Sequence, residues 1–446
     1  MLKNQKIVVL DDDPTGTQTV HDVSVYTDWD MDTLEQAFLE ESNLFFLLTN
    51  SRSFSEEKTA QVHREIARRL CDVSKSCGKE FILISRGDST LRGHFPLETA
   101  VLRETIEGMM DYCFDGEIIC PFFLEANRVT KDDIHYVIES ERWIPAAETE
   151  FAKDATFGYR SSNLREYVEE KTGGEYPADS CMSFSIEELQ EKNIPALTDK
   201  LCKAAGFQKI IVNATDYDLL ETFCRAFVGA LSRGRHFMMR TAASFPKVLG
   251  GISAIPLLGK EQIVTGSDQI GGVVIVGSHV GKTTKQLELL KRLTERVEYL
   301  EFDVTGVYQE GGLAAEADRI AALVNERIKN GIHTVIYTSR TLIKAENEAE
   351  SLKLSVAISD AFTGIVGKLQ IKPRFIIAKG GITSSDVATK ALQIRHADVM
   401  GQIRPGIPVW RCKEGSLFPG LPYIIFPGNV GNEDTLYDIV CELSEQ

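Results

Sequence analysis

Three consecutive carboxylates, Asp11-Asp12-Asp13, stand directly after the apolar run Ile7-Val8-Val9-Leu10 and lead into Pro14-Thr15-Gly16. Side by side such charges repel, and burying them without partners is costly. A fold tolerates them where a cation, a substrate hydroxyl or a metal-bound phosphate is to be held. A solvated acidic turn capping the next helix accounts equally for this one strand end. A second polar group, Ser85-Arg86-Gly87-Asp88-Ser89-Thr90-Leu91-Arg92-Gly93, follows another apolar run. Its arginines can grip a carboxylate or phosphate through a bidentate fork. A local Asp–Arg pair at a helix start is the competing reading, but two polar strand ends together favour a binding pocket. Asn50-Ser51-Arg52 and the stretch Pro121–Thr130, with Glu125, Asn127 and Arg128, add further acids and arginines. The set suits a small hydroxylated carboxylic acid.

The second half of the chain carries glycine turns. In Val276-Gly277-Ser278-His279-Val280-Gly281-Lys282-Thr283-Thr284 three residues separate the glycines where a P-loop has four, so no Walker motif is present. A strand ending in Gly-Ser before a helix still offers free backbone N–H groups to an anion. Ala378-Lys379-Gly380-Gly381-Ile382-Thr383-Ser384-Ser385-Asp386 repeats that logic, and Pro427-Gly428-Asn429-Val430-Gly431 supplies a third turn. Three such turns in one small domain read as a nucleotide phosphate site. Asp303, Tyr337 and Arg340 also fall near strand ends but receive no role.

These residues need strands to hold them. Short β-rich runs are expected at Ile7–Leu10, Leu44–Leu48, Phe81–Ile84, Glu117–Cys120 and Lys209–Val212, then at Val273–Val276, Thr334–Tyr337, Phe375–Ala378 and Tyr423–Phe426. Amphipathic helices are expected at Glu56–Cys71, Gln286–Arg296 and Ala314–Asn330. The alternation predicts an α/β protein of two domains, each a largely parallel sheet flanked by helices, with ligands beyond the carboxyl ends of the strands. The glycine- and proline-bearing stretch 251–271 is read as a linker between an N-terminal domain, 1–250, and a C-terminal one, 272–446.

With 446 residues there is ample length for two cores. A formal net charge of −16 argues against a nucleic-acid partner, and no apolar run is long enough for a signal peptide or a membrane span. Nine scattered cysteines without a C-x-x-C pair read as reduced thiols, so a cytoplasmic location is expected.

Taken together, the motifs resemble those of the four-carbon acid sugar kinases over essentially the full chain. The opening motif of that family stands here as Asp12-Asp13-Pro14-Thr15-Gly16, its second is complete at Asp88–Gly93, and its proline-led loop matches Pro121–Arg128 with Thr130. In the second half Gly277-Ser278 with Thr283–Gln286, Gly380–Thr383, Pro405–Pro408 and Gly428–Gly431 complete the pattern. Departures include the extra Asp11, Pro14, Gln18, Val430 and a longer Cys412–Leu421 segment, which bear on the substrate more than on the reaction class.

The resemblance implies an ATP-dependent kinase acting on the terminal hydroxyl of threonate, erythronate or 3-oxo-tetronate, with chemistry in an inter-domain cleft. It implies Asp12 or Asp13 as base, and Arg92 with Arg86 and Arg128 on the substrate carboxylate. Asp88 and Ser89 would contact the rest of the acid. Ser278, Gly380, Gly381, Ile382, Thr383, Gly428 and Asn429 would hold the nucleotide. Mg²⁺ is expected with ATP, but the sequence contains no dedicated metal cage. A lyase or isomerase acting on a phosphorylated acid, and a non-catalytic sensor, are the rival readings. The epimer accepted is not legible, and a homo-oligomer stays open.

Overall fold

The computed structural model describes residues 5–265, 269–341, 343, 348–428 and 430–445. The chain forms two compact units, Met1–Ala254 and Ile255–Gln446.

The first unit is built on eight parallel strands. In chain order they are β1 (Gln5–Asp11), β2 (Val23–Tyr26), β3 (Leu44–Leu48), β4 (Glu80–Arg86), β5 (Gly116–Cys120), β9 (Met182–Phe184), β10 (Gln208–Val212) and β11 (Phe237–Thr241). Between β5 and β9 a separate antiparallel sheet is formed by β6 (Arg128–Lys131), β7 (Ile134–Glu139) and β8 (Arg142–Pro145). The parallel strands lie in the order β2-β3-β1-β4-β11-β5-β10-β9. Chain connections leave β1 toward β3 on one side and β4 toward β5 on the other. The β1/β4 junction is therefore a switch point, where an open α/β sheet leaves a crevice at its carboxyl edge.

Helices cover the faces, which is why Ile7–Leu10 of β1 and the whole of β3 are continuously apolar rather than alternating. The helix Glu56–Cys77 begins on the Ser55 side chain, which accepts from the Lys58 N–H, and ends at Gly78 in the left-handed region. Its stripe Val62, Ile66, Leu70 and Val73 packs into the core beside Val8, Leu10 and Phe45. The small antiparallel sheet turns at Asp132-Asp133 and Ser140-Glu141, all four with positive φ. Those two-residue turns match the strand twist, though the residues lack the usual Asn-Gly signal.

The second unit contains β12 (Val273–Val276), β13 (Val297–Phe302), β14 (His333–Thr338), β15 (Ile376–Lys379), β16 (His396–Arg404), β17 (Ile407–Cys412) and β18 (Pro422–Phe426). Their order is β13-β14-β12-β15-β18-β17-β16. The first five run parallel and the last two pair antiparallel through the Pro405-Gly406 turn. Leu258 and Ile263, from the stretch read as a linker, belong to this unit's core. The helix expected at Gln286–Arg296 is instead Gly281–Leu290, since Arg296 has φ 57° and β13 starts at the next residue. No helix among the described residues is long and apolar enough to cross a membrane.

Candidate active site

The parallel register of β1 and β4 makes Asp11 and Arg86 direct neighbours at the carboxyl ends of their strands. Arg86 Nη1 donates to Asp11 Oδ1 at 3.1 Å and lies 3.3 Å from Asp12 and 3.5 Å from Asp13. Arg52, just beyond β3, holds Asp12 bidentately through Nη2 at 2.6 Å and Nε at 3.1 Å, and its Nη1 is 2.5 Å from Asp13. Two guanidiniums thus face three carboxylates. Gly16 closes the loop because a Cβ there would collide with the Asp11 carboxylate.

The environments separate the three acids. Burial pushes Asp11 up to about 8 against the pull of Arg86. Burial also raises Asp12, opposed by Arg52. Burial alone would raise Asp13 too, but Arg52, Arg86 and the Thr15 hydroxyl and N–H hold it below the usual carboxylate range. Asp13 is the accessible member, with 14% of its side chain exposed against 2% for Asp12.

The Asp88–Gly93 loop follows β4. Arg92 Nε donates to Asp88 at 2.7 Å, and the Thr90 hydroxyl donates to the same oxygen. Burial would raise the Asp88 carboxyl, yet Arg92 and Arg52 hold it well below the usual range. Arg92 and Arg128 share the Phe151 ring, at 5.0 and 5.7 Å from its centroid. Arg128 Nη1 also donates to the Ala126 carbonyl.

Three side chains from the β6–β9 region hold three consecutive carbonyls of this loop. His135 Nε2 bonds the Ser89 oxygen at 2.7 Å, Tyr159 donates to Thr90 at 2.8 Å, and Tyr167 donates to Leu91 at 3.0 Å. Leu91 has φ 68°, so these bonds fix a conformation the residue would not favour alone.

Arg240, at the end of β11, escaped the sequence reading because its strand was not recognised. Its Nη1 bonds Ser85 Oγ at 2.8 Å and the buried Glu98 carboxylate. Its guanidinium fills the space that side chains at Gly87 and Gly93 would occupy. The signal available was a pair of glycines flanking Asp88, which report that something packs against that loop.

In the second unit the glycine turns converge. Thr283 Oγ1 lies 3.1 Å from both Ser278 Oγ and the Gly428 carbonyl. A Cβ on Gly380, which has φ 123°, would stand 3.1 Å from Ser278 and 3.2 Å from Thr383. Gly277 likewise abuts Thr383. Gly381 opens onto free space, and Ile382 beside it is exposed. Asn429 lies outside the described residues. Two basic side chains without a sequence-assigned role join this cluster. Arg340 Nη1 donates to the Ser278 carbonyl at 2.9 Å, and buried Lys379 donates to Pro427 at 2.6 Å. Burial, with Lys282 nearby, lowers Lys379 to about 6.

Family patterns match each unit. One described as a sugar-binding N-terminal domain matches residues 7–249, and one described as a nucleotide-binding C-terminal domain matches 273–436. The chain belongs to the four-carbon acid sugar kinase family. Two solved structures share this fold. A Salmonella typhimurium LT2 protein, provisionally assigned as a tRNA synthase, is 17% identical with a TM-score of 0.71, covering 100% of both chains. A Haemophilus influenzae protein from a family designated a domain of unknown function is 16% identical with a TM-score of 0.62, covering 98% of this chain and 100% of its own. At these identities the likeness concerns fold alone. No curated protein matches the chain. The converged glycine turns lie within the nucleotide-binding domain, and the Asp and Arg loops within the sugar-binding one.

Proposed function

We propose that this family member is an ATP-dependent kinase that phosphorylates the terminal hydroxyl of a four-carbon sugar acid such as threonate, erythronate or 3-oxo-tetronate. The observation that carries the reading is the segregated pair of loop clusters. An ionised, accessible Asp13 stands among arginines in the sugar-binding unit, and an open glycine cradle lies in the nucleotide-binding one.

Phosphoryl transfer is mostly positioning and charge neutralisation. Asp13 would accept the hydroxyl's hydrogen bond and take its proton as the bond to phosphorus forms. Asp12 is the more basic by environment, but its side chain is 2% exposed against 14% for Asp13, so it would orient Arg52 rather than face the substrate. Arg92 and Arg128 would hold the acid, with Asp88 fixing the Arg92 fork. Arg86 would organise the aspartates, its Nη1 being engaged by all three.

The cradle fits a polyphosphate. A Cβ on Gly381, where a short helix starts, would meet no atom within 4 Å, Ile382 beside it is exposed, and Ser278 and Thr383 pack around the adjacent Gly380. Mg²⁺ would neutralise the triphosphate oxygens. Carboxyl oxygens of Asp11–Asp13 lie within 4.8 Å of one another. Arg52 and Arg86 already engage all three, and the ion is assigned to the nucleotide.

The test is ADP release with Mg²⁺ and ATP against D- and L-threonate, D- and L-erythronate and 3-oxo-tetronates. Release that requires one acid supports the kinase and names its substrate. ATP binding without acid-dependent turnover overturns the substrate class, and absence of ATP binding overturns the kinase.

A further inference from the structure

A small cavity of about 20 Å³ lies where β4, β11 and β5 end, lined by Asp88, Arg92, Arg240, Thr241, Phe95 and Tyr167 among others. It has room for about one oxygen atom. Thr241 is 3% exposed, and its Oγ1 is buried with no hydrogen-bond partner. Buried hydroxyls are normally satisfied, so an orphan facing a cavity marks a missing ligand atom.

The polar wall is rich in donors. Arg240 is anchored through Nη1 to Glu98 and Ser85, while its Nη2 reaches past Gly93. Asp88, the acceptor there, is already engaged by Thr90 and Arg92. Each guanidinium is paired with a carboxylate, Arg240 with Glu98 and Arg92 with Asp88, but their remaining N–H groups and the unused Thr241 hydroxyl can donate to an anionic oxygen that enters beside the Phe95 and Tyr167 rings. The point where Gly93 would carry a Cβ is 2.7 Å from Arg240 Nη2 and 3.4 Å from Asp12 Oδ2. Arg240 Nη2 and Asp12 Oδ2 therefore lie no more than about 6 Å apart, so this pocket borders the aspartate cluster.

We infer that Arg240 and Thr241, with Arg92, form the subsite for the substrate's carboxylate, one of whose oxygens enters this cavity. The inference rests on the sugar-acid reading for the class of ligand, and it assigns which residues distinguish an acid from the corresponding polyol. Thr241 and Arg240 set that specificity by contact. Glu98, Gly87 and Gly93 are positioning residues that hold or admit the guanidinium.

Thr241→Val tests it cleanly, because valine keeps the shape and removes an unpartnered group. Calorimetry on the full chain with D-erythronate, L-threonate, erythritol and threitol reads the ratio of acid to polyol affinity without needing turnover. The expected result is a fall in that ratio on the order of tenfold, with a Tm equal to or above wild type. Gly93→Ala, which would displace Arg240, should lower the same ratio even if its Tm falls. A wild-type ratio in both variants overturns the subsite and leaves the kinase reading intact, the cavity then holding a structural water. If the wild type binds none of the D- and L-threonates, D- and L-erythronates and 3-oxo-tetronates, the subsite and the sugar-acid reading both fall.

Discussion

At the scale of single residues, charge compensation decides which group can act. Asp13 alone among the three aspartates combines access with a carboxyl held ionised by neighbouring cations. Asp13→Asn should lower kcat by at least a hundredfold with ATP affinity nearly unchanged, as measured by ADP release and nucleotide titration. An activity within a few-fold of wild type would remove Asp13 as the base. His135 carries a pH prediction. Burial holds it down to about 4, whereas the unfolded chain titrates near 6.5. As pH falls below about 6.5 the unfolded state gains protons first, so stability that is complete above that pH is lost toward about 4. The loss amounts to roughly 3 kcal/mol for one such group. His333, also lowered to about 4 by burial, acts in the same direction. Asp11, raised to about 8, acts oppositely, since the stability it adds is lost as pH rises through that value. Urea unfolding of His135→Gln should therefore show a shallower acid limb than wild type. An identical limb would exclude His135 as a contributor.

At the scale of elements, the loops are held by what packs behind them. Tyr159→Phe and Tyr167→Phe each remove one bond to the Asp88–Gly93 loop. Each should cost about 1 kcal/mol of stability. If the loop binds the acid, each should also raise the KM for the acid and leave the KM for ATP alone. Gly380→Ala places a side chain at φ 123° against Ser278 and Thr383. Nucleotide affinity should fall at least tenfold in that variant by direct titration. Legibility followed burial. Strands whose residues are continuously apolar, such as Leu44–Leu48 and Val273–Val276, were evident from their run alone. Phe237–Thr241 was not, because Met238, Met239 and Arg240 carry no strand signature and only the neighbours β4 and β5 make them one. Arg240 and Thr241 were lost with it. The β6–β8 sheet went unseen because its turns use Asp-Asp and Ser-Glu at positive φ, where glycine or asparagine would have announced them.

For the whole molecule, two units with separate cores imply separable ligand responses. Hydrogen exchange on the full chain should slow around Gly277–Thr283 and Gly380–Asp386 with ATP. With the acid it should slow around Asp11–Gly16, Arg86–Gly93 and Arg240–Thr241. Protection by ATP at the first unit's aspartates alone would overturn this division. By itself the sequence determined the α/β class, the loops that carry chemistry and the family, because these rest on local patterns: apolar runs, carboxylates at strand ends, and glycines where backbone must approach a ligand. Only the tertiary structure decided the partners. Strand order brings β11, late in the first unit's chain, between β4 and β5, and parallel register sets Asp11 beside Arg86 and Thr241 beside the same arginine. Which carboxylate is compensated and which hydroxyl is left without a partner are properties of distances across a sheet, and no local pattern encodes them.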